Sequence, residues 1–224
     1  MKGAPRAYIH RAHSGPFGMV NSEEGYQNLS RFLFGNVRYE IELAQLTIKK
    51  DLPGLKEKDI LDYLEINVDI SIRGLPTYIH TRRELDESSI VVPVKASQLN
   101  AKEYHQVDPH PTHLFTGFLR TDKKMEGDGF LRGAIQLRII PHYRHEGWVR
   151  DSRFEGESML NDRLHFGVRP SLKPLEIEYR WGMGFYQHQK KKLKKDRSVL
   201  FSLPNCSQRY LNTAGIRVKV SPWH

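Results

Sequence analysis

Hydrophobic and polar positions follow a helical period up to Gly35 and a two-fold period after it. In the first segment Tyr26, Leu29 and Leu33 recur at helical spacing, with Phe32 alongside. Beyond Gly35, Val37, Tyr39, Ile41 and Leu43 alternate with Arg38, Glu40 and Glu42. The phase slips near Gln45, to Leu46 and Ile48, which predicts a β-bulge. Ile66, Val68, Ile70 and Ile72 alternate with Asn67, Asp69 and Ser71 to give the cleanest strand. RGLPTYIHTRRE then reads as a strand-turn-strand edge, and Ser89 to Val94 as a short apolar strand. Thr112 to Arg120 and Phe130 to Ile140 flank Asp128-Gly129, which predicts a hairpin. Ile177, Tyr179 and Trp181, then Ser198 to Leu203 and Ile216 to Val220, complete the set. About nine strands with little helix predict a mainly β fold, an antiparallel β-sandwich. Leu55 to Leu64 is the one other helix-like stretch, and Gln98 to Pro111 reads as a long loop.

The N-terminal segment is built differently. Arg6 to Ala12 reads as a short strand, and Ser14, Gly15, Pro16 and Gly18 form a dense turn cluster. Asn21 is placed to cap a helix, with Glu24 three positions on as in a capping box. Gly35 ends that helix. His10 lies in the strand and His13 heads the turn. A histidine on a strand-to-helix loop suits general-base work, because the flanking elements can aim an imidazole that titrates near neutrality. Two ordinary surface or packing histidines fit the same local pattern.

The stretch AYIHRAHSGPFGMVNSEEGYQNLSRFLFG, Ala7 to Gly35, resembles the terminal histidine segment of lipases and esterases of the α/β-hydrolase superfamily. The similarity is to a lipase-like branch in which this segment precedes a β-rich C-terminal extension. The resemblance implies that residues 1–36 form the last strand and helix of an α/β-hydrolase domain and residues 37–224 a β-sandwich. It also implies that a histidine of the segment completes a Ser-His-Asp triad. His13 matches the histidine before Ser-Gly, and His10 the one three residues earlier. The rest of the machinery is missing from this sequence. There is no G-x-S-x-G nucleophile elbow, and the serine and acid of such enzymes precede the histidine in chain order. A triad works as a unit. The expectation is therefore a C-terminal portion of a lipase-like serine hydrolase, inactive alone, whose partner in cis is a hydrolase core and whose substrate is a lipid or acyl ester. If so, Tyr8, Ile9, Phe17, Leu29 and Phe32 should be partly exposed, because the sheet they pack on is elsewhere.

The formal net charge of +9 directs attention to anionic partners. Lys190, Lys191, Lys192, Lys194 and Lys195 form the densest run, a candidate contact with an anionic membrane surface. A solvated loop between two strands explains the run equally well. Nucleic acid is disfavoured, since no aromatics interleave with the lysines. The alternative function is thus a stand-alone β-sandwich module binding an anionic surface or a protein partner. His105, His110 and His113 cluster around Asp108, but their spacing matches no standard metal motif, so no metal or cofactor is expected. Cys206 is the single cysteine, which excludes an intrachain disulfide. Trp148, Trp181 and Trp223 read as core or interface residues.

Overall fold

The computed structural model describes residues 7, 8, 18, 21–49, 52, 59–82, 90–93, 104–106, 111–123, 129–145, 151–169, 176–182, 189–193, 197–203 and 209–223. Helix α1 spans Glu23–Phe34 and leads into strand β1, Val37–Lys49. There follow β2 (Asp59–Ile72), β3 (Tyr78–Arg82), β4 (Ile90–Pro93), β5 (Tyr104–Gln106) and β6 (Thr112–Leu119). A short 3-10 turn, Thr121–Lys123, precedes β7 (Leu131–His145), β8 (Ser152–Glu155), β9 (Leu160–Arg169) and β10 (Glu176–Trp181). The last strands are β11 (Gln189–Lys192), β12 (Ser198–Ser202) and β13 (Leu211–Pro222).

The strands form two antiparallel sheets. A five-stranded sheet runs β12-β13-β1-β5, with β6 also paired to β1. An eight-stranded sheet runs β11-β10-β9-β7-β2-β3, with β4 on β2 and β8 on β7. Alternating apolar residues supply the shared interior. Ile41, Leu43, Phe115 and Ile216 of the first sheet and Ile66, Ile70, Leu137 and Leu164 of the second belong to one buried cluster. Rings meet across it, His80 against Phe115 at 4.4 Å and Tyr179 against Phe201 at 4.7 Å. Burying each aliphatic side chain contributes about 1.5–3 kcal/mol, so this one cluster outweighs any surface contact.

The bulge expected near Gln45 is present. The β1–β13 register shifts between Ala44 and Thr47. The edge read in RGLPTYIHTRRE is present too, with Gly74 at φ 90° turning β2 into β3. Other expectations need correction. Asp128-Gly129 does not close a hairpin, because β6 pairs with β1 while β7 pairs with β2 and β9 in the other sheet. Gly129 does turn the backbone, at φ 72°. The chain is diverted before it, where Asn36 Nδ2 donates to Thr121 Oγ1 at 2.6 Å and ties the end of β6 to the start of β1.

The described part of the helix-like stretch, Asp59 to Leu64, is strand β2. A register shift between Leu61 and Tyr63 breaks the two-fold phase, which spaces Leu61 and Leu64 as a helix would. Tyr104–Gln106 of the expected loop is β5, paired with Thr47 to Lys49. Lys190 to Lys192 lie in edge strand β11 and not in a loop. Lysines there blunt an otherwise open sheet edge. Strand β9 was not read from the sequence, although Leu164, Phe166 and Val168 alternate.

Packing leaves no spare room where β6 pairs with β1. A methyl group on Gly117 would lie 2.5 Å from Tyr39 Oη and 2.5 Å from Phe115 Cε1. Gly117→Ala should lower stability by about 1–3 kcal/mol in urea unfolding, the range for forcing extra volume into a full core. An unchanged midpoint would mean that the Tyr39 ring is not held over Gly117.

Candidate functional site

The described part of the Ala7–Gly35 stretch lies against β3 and β6, one strand from each sheet. Its helix is capped by Ser22, whose Oγ accepts from Gly25 N–H at 3.0 Å. Asn21, the expected cap, instead donates its backbone N–H to Gly18 O at 3.1 Å. Asn-Ser offers two adjacent capping oxygens, and the outer one is displaced by that turn. Glu24 does not close a capping box but accepts from Thr77 Oγ1 at 2.6 Å. Gly35 ends the helix in an extended conformation, φ −72° and ψ 155°, rather than a left-handed one. A side chain there would strike Arg31 O, which accepts the Gly35 N–H.

Polar residues, together with Phe32, make the contact between α1 and the sheets. Asn28 Nδ2 donates to Ile79 O of β3 at 2.7 Å. Desolvation lowers the pKa of the Arg31 guanidinium from its ordinary value. Phe32 reaches Phe118 with ring centroids 5.3 Å apart, and Trp223 Nε1 donates to Phe32 O at 2.9 Å. Trp223 is therefore an interface residue, while Trp181 Nε1 donates to Ser202 O; Trp148 lies outside the described residues. The apolar stripe points the other way. Tyr26 is 63% exposed, Leu29 57%, Leu33 50% and Phe34 66%, and no residue of α1 is buried. Of the residues expected to be partly exposed, Tyr8, Leu29 and Phe32 are, and Ile9 and Phe17 lie outside the described residues.

His10 and His13 also lie outside the described residues. The chain just before them is anchored at Tyr8. Its N–H donates to His80 Nδ1 at 3.2 Å, and its carbonyl accepts from Thr81 N–H at 3.1 Å. The Arg82 guanidinium sits 4.4 Å from the Tyr8 ring centroid. His80, 1% exposed, is held with Nδ1 as an acceptor by this contact.

Of the loop histidines, two have described backbone positions, and these are apart along β1. His105 lies opposite Ile48 and His113 opposite Glu42, six residues apart along β1 or about 20 Å. His110 and Asp108 lie outside the described residues, as does Cys206. Among the described residues no group of three or more His, Cys, Asp or Glu side chains could hold a metal ion. Two histidine–carboxylate pairs escaped the sequence reading. His142 Nε2 lies 3.0 Å from Glu65 Oε2 with its ring stacked on Tyr63, and His145 Nδ1 lies 2.7 Å from Asp59 Oδ1. Their partners are 77 and 86 residues apart in sequence, so only the β2–β7 pairing brings them together.

The lysine run is partly engaged. Lys190 pairs with Glu176 at 2.8 Å, and Lys191 Nζ donates to Leu200 O at 2.5 Å. Lys194 and Lys195 lie outside the described residues. Between the sheets a slot of about 80 Å³ is lined by carbon atoms alone, from Val37, Leu119, Val168, Val199 and Val220 among others. It offers no group for acid-base chemistry. No protein-family model, curated protein or solved structure matches the chain.

Two outcomes follow from these environments. Desolvation lowers the His113 pKa from 6.5, against the opposing pull of Glu40 and Glu42 and with help from Arg82 and Arg38. The unfolded chain then takes up a proton near pH 6.5 that folded His113 refuses. Stability from this residue is present above that pH and is lost as pH falls below it. An NMR titration should give a His113 midpoint below 6.5; a midpoint above it would reverse the sign. Filling the slot with Val168→Leu should raise the urea midpoint, by about 0.5–1 kcal/mol of stability. A lowered midpoint would show the slot already occupied by its own walls.

Proposed function

We propose that this chain supplies the general-base end of a lipase-like serine hydrolase, joined to a β-sandwich domain. In this reading His13, or His10 beside it, takes the proton of a serine nucleophile carried on a separate hydrolase core. It returns that proton to the leaving group of an acyl or lipid-like ester. The β-sandwich docks on the core through α1. The observation that supports the reading is the reversed polarity of α1. An amphipathic helix ordinarily turns its apolar stripe to the body it packs on. Here Glu24, Asn28 and Arg31 face the sheets, while Tyr26, Leu29 and Leu33 face outward. A helix patterned in this way suits a position between two bodies, with the apolar one on its far side.

The reading is tested on the product of the reading frame that includes sequence upstream of Met1. That frame should encode a G-x-S-x-G elbow followed by an acid. Its product should hydrolyse p-nitrophenyl butyrate and lose that activity on His13→Ala or His10→Ala. The chain studied alone should leave the ester intact. Turnover by the chain alone that disappears with His13→Ala would sink the divided-triad assignment, as would an upstream frame without the elbow. The helix face has its own check. Leu29→Glu and Leu33→Glu should change the stability of this chain by less than about 0.5 kcal/mol, as for surface positions. A loss above about 2 kcal/mol would show that the stripe packs within the chain itself.

The second reading, a β-sandwich module for an anionic surface, is favoured by a different observation. The outer face of the eight-stranded sheet gathers Arg73, Arg132, Arg163 and Arg180 around a shared basin.

A further inference from the structure

We infer that this basin is a built site for a compact oxyanion, a phosphate or phosphomonoester group. Its architecture follows from strand register. Ser71, Ala134, His165 and Arg180 lie side by side across β2, β7, β9 and β10. Two residues further along, the same face carries Arg132, Gly167 and Glu178 in one row, with the Arg73 N–H donating to Arg132 O beside them. Two residues the other way, Gln136 and Arg163 are paired, with Gly182 N–H donating to Arg163 O. Adjacent strands are about 4.8 Å apart, and alternate residues along one strand about 7 Å. The four arginine Cα atoms therefore lie within roughly 10 Å of the Ala134–His165 pair, a span that a long arginine side chain can largely cross.

Small side chains form the floor. Ser71, Gly133 and Ala134 leave a depression of about 680 Å³ rather than a flat sheet face. The rim is four guanidinium groups and one imidazole against the lining carboxylate of Glu178, with Asp69 in the adjoining row beside Gln136. The Glu178 carboxylate is ion-paired with Arg132. Gly167 lets the pair cross over β9, since a methyl group there would lie 3.0 Å from both Arg132 Nη1 and Glu178 Oε1. Arg163 is steadied from the side, its Nε donating to Gln136 Oε1 at 3.0 Å. Two arginines are thus braced before any ligand arrives. Braced, planar, multidentate donors favour a tetrahedral or planar oxyanion over diffuse negative charge. Lysines on a mobile stem would serve the latter as well, and they sit elsewhere, on β11.

Isothermal titration of the intact chain with sodium phosphate, at ionic strength matched with sodium chloride, tests the site. Flotation with phosphatidylcholine vesicles, with and without phosphatidic acid, tests the membrane-borne form of the same group. Saturable phosphate binding that also competes with phosphatidic acid vesicles supports the site and identifies the free anion as sufficient. Binding to phosphatidic acid vesicles alone supports it and identifies the lipid headgroup as the source. Binding to neither overturns it.

The Arg163→Ala, Arg180→Ala double variant should weaken binding about tenfold or more. The Arg163→Lys, Arg180→Lys variant should not restore it, because it returns charge without the fork. Full binding by the lysine variant, or an equal loss on Lys190→Ala with Lys192→Ala, would reduce the basin to undirected charge and overturn the inference. If the double alanine variant fails to fold by circular dichroism, single Arg163→Gln and Arg180→Gln variants carry the same comparison.

Discussion

The pairing of β2 with β7 is the contact on which most of the molecule rests. It runs through thirteen residue pairs from Asp59–His145 to Ile72–Gly133. Its inner face places Ile66, Val68 and Ile70 beside Ile139, Leu137 and Ile135 at the centre of the buried cluster. Its polar groups depend on the same ladder. The Glu65–His142 and Asp59–His145 pairs exist because the ladder sets their elements side by side. The small-residue floor at Ser71 and Ala134 exists for the same reason. A one-residue slip would send the isoleucines outward and Glu65 into the core, so the register is strongly specified.

Much of the β architecture was legible because burial on one face leaves a two-fold signature. That held for the Val37 to Leu43 part of β1, for the Ile66 to Ile72 part of β2 and for β10, where alternation is unbroken. It failed where the phase is broken locally, as at the Leu61–Tyr63 shift that made the start of β2 resemble a helix. It failed again where pairing depends on non-local choices. Asp128-Gly129 signals a turn correctly but cannot say which sheet receives the next strand. The histidine–carboxylate pairs and the arginine basin were illegible for that same reason. Their members come from two to four strands, and nothing in the local sequence links Arg73 to Arg180.

The helix shows a subtler limit. Its apolar stripe was readable, and so was its cap to within one residue. Which way the stripe faces was not, because periodicity fixes a face without fixing what lies opposite. The usual inference, apolar face inward, would have given the wrong side here. Asn28, bonded to Ile79 O, and Glu24, bonded to Thr77, fasten the polar side instead. The docking is thus directional and hydrogen-bonded, and the larger hydrophobic gain is left on the far side of the helix.

The Tyr8 contact has a further effect on how molecules of this protein meet one another. Tyr8 satisfies main-chain and imidazole groups along β3, the strand at one border of the eight-stranded sheet, and β11 with its lysines closes the opposite border. One border is shielded by charge and the other, at Thr81, by the backbone of Tyr8. Charge shielding weakens with salt, whereas a backbone cover fails only when the segment is displaced. Crowded, high-salt conditions and loss of the N-terminal segment should therefore expose different borders, and each would offer a separate route to strand-by-strand self-association.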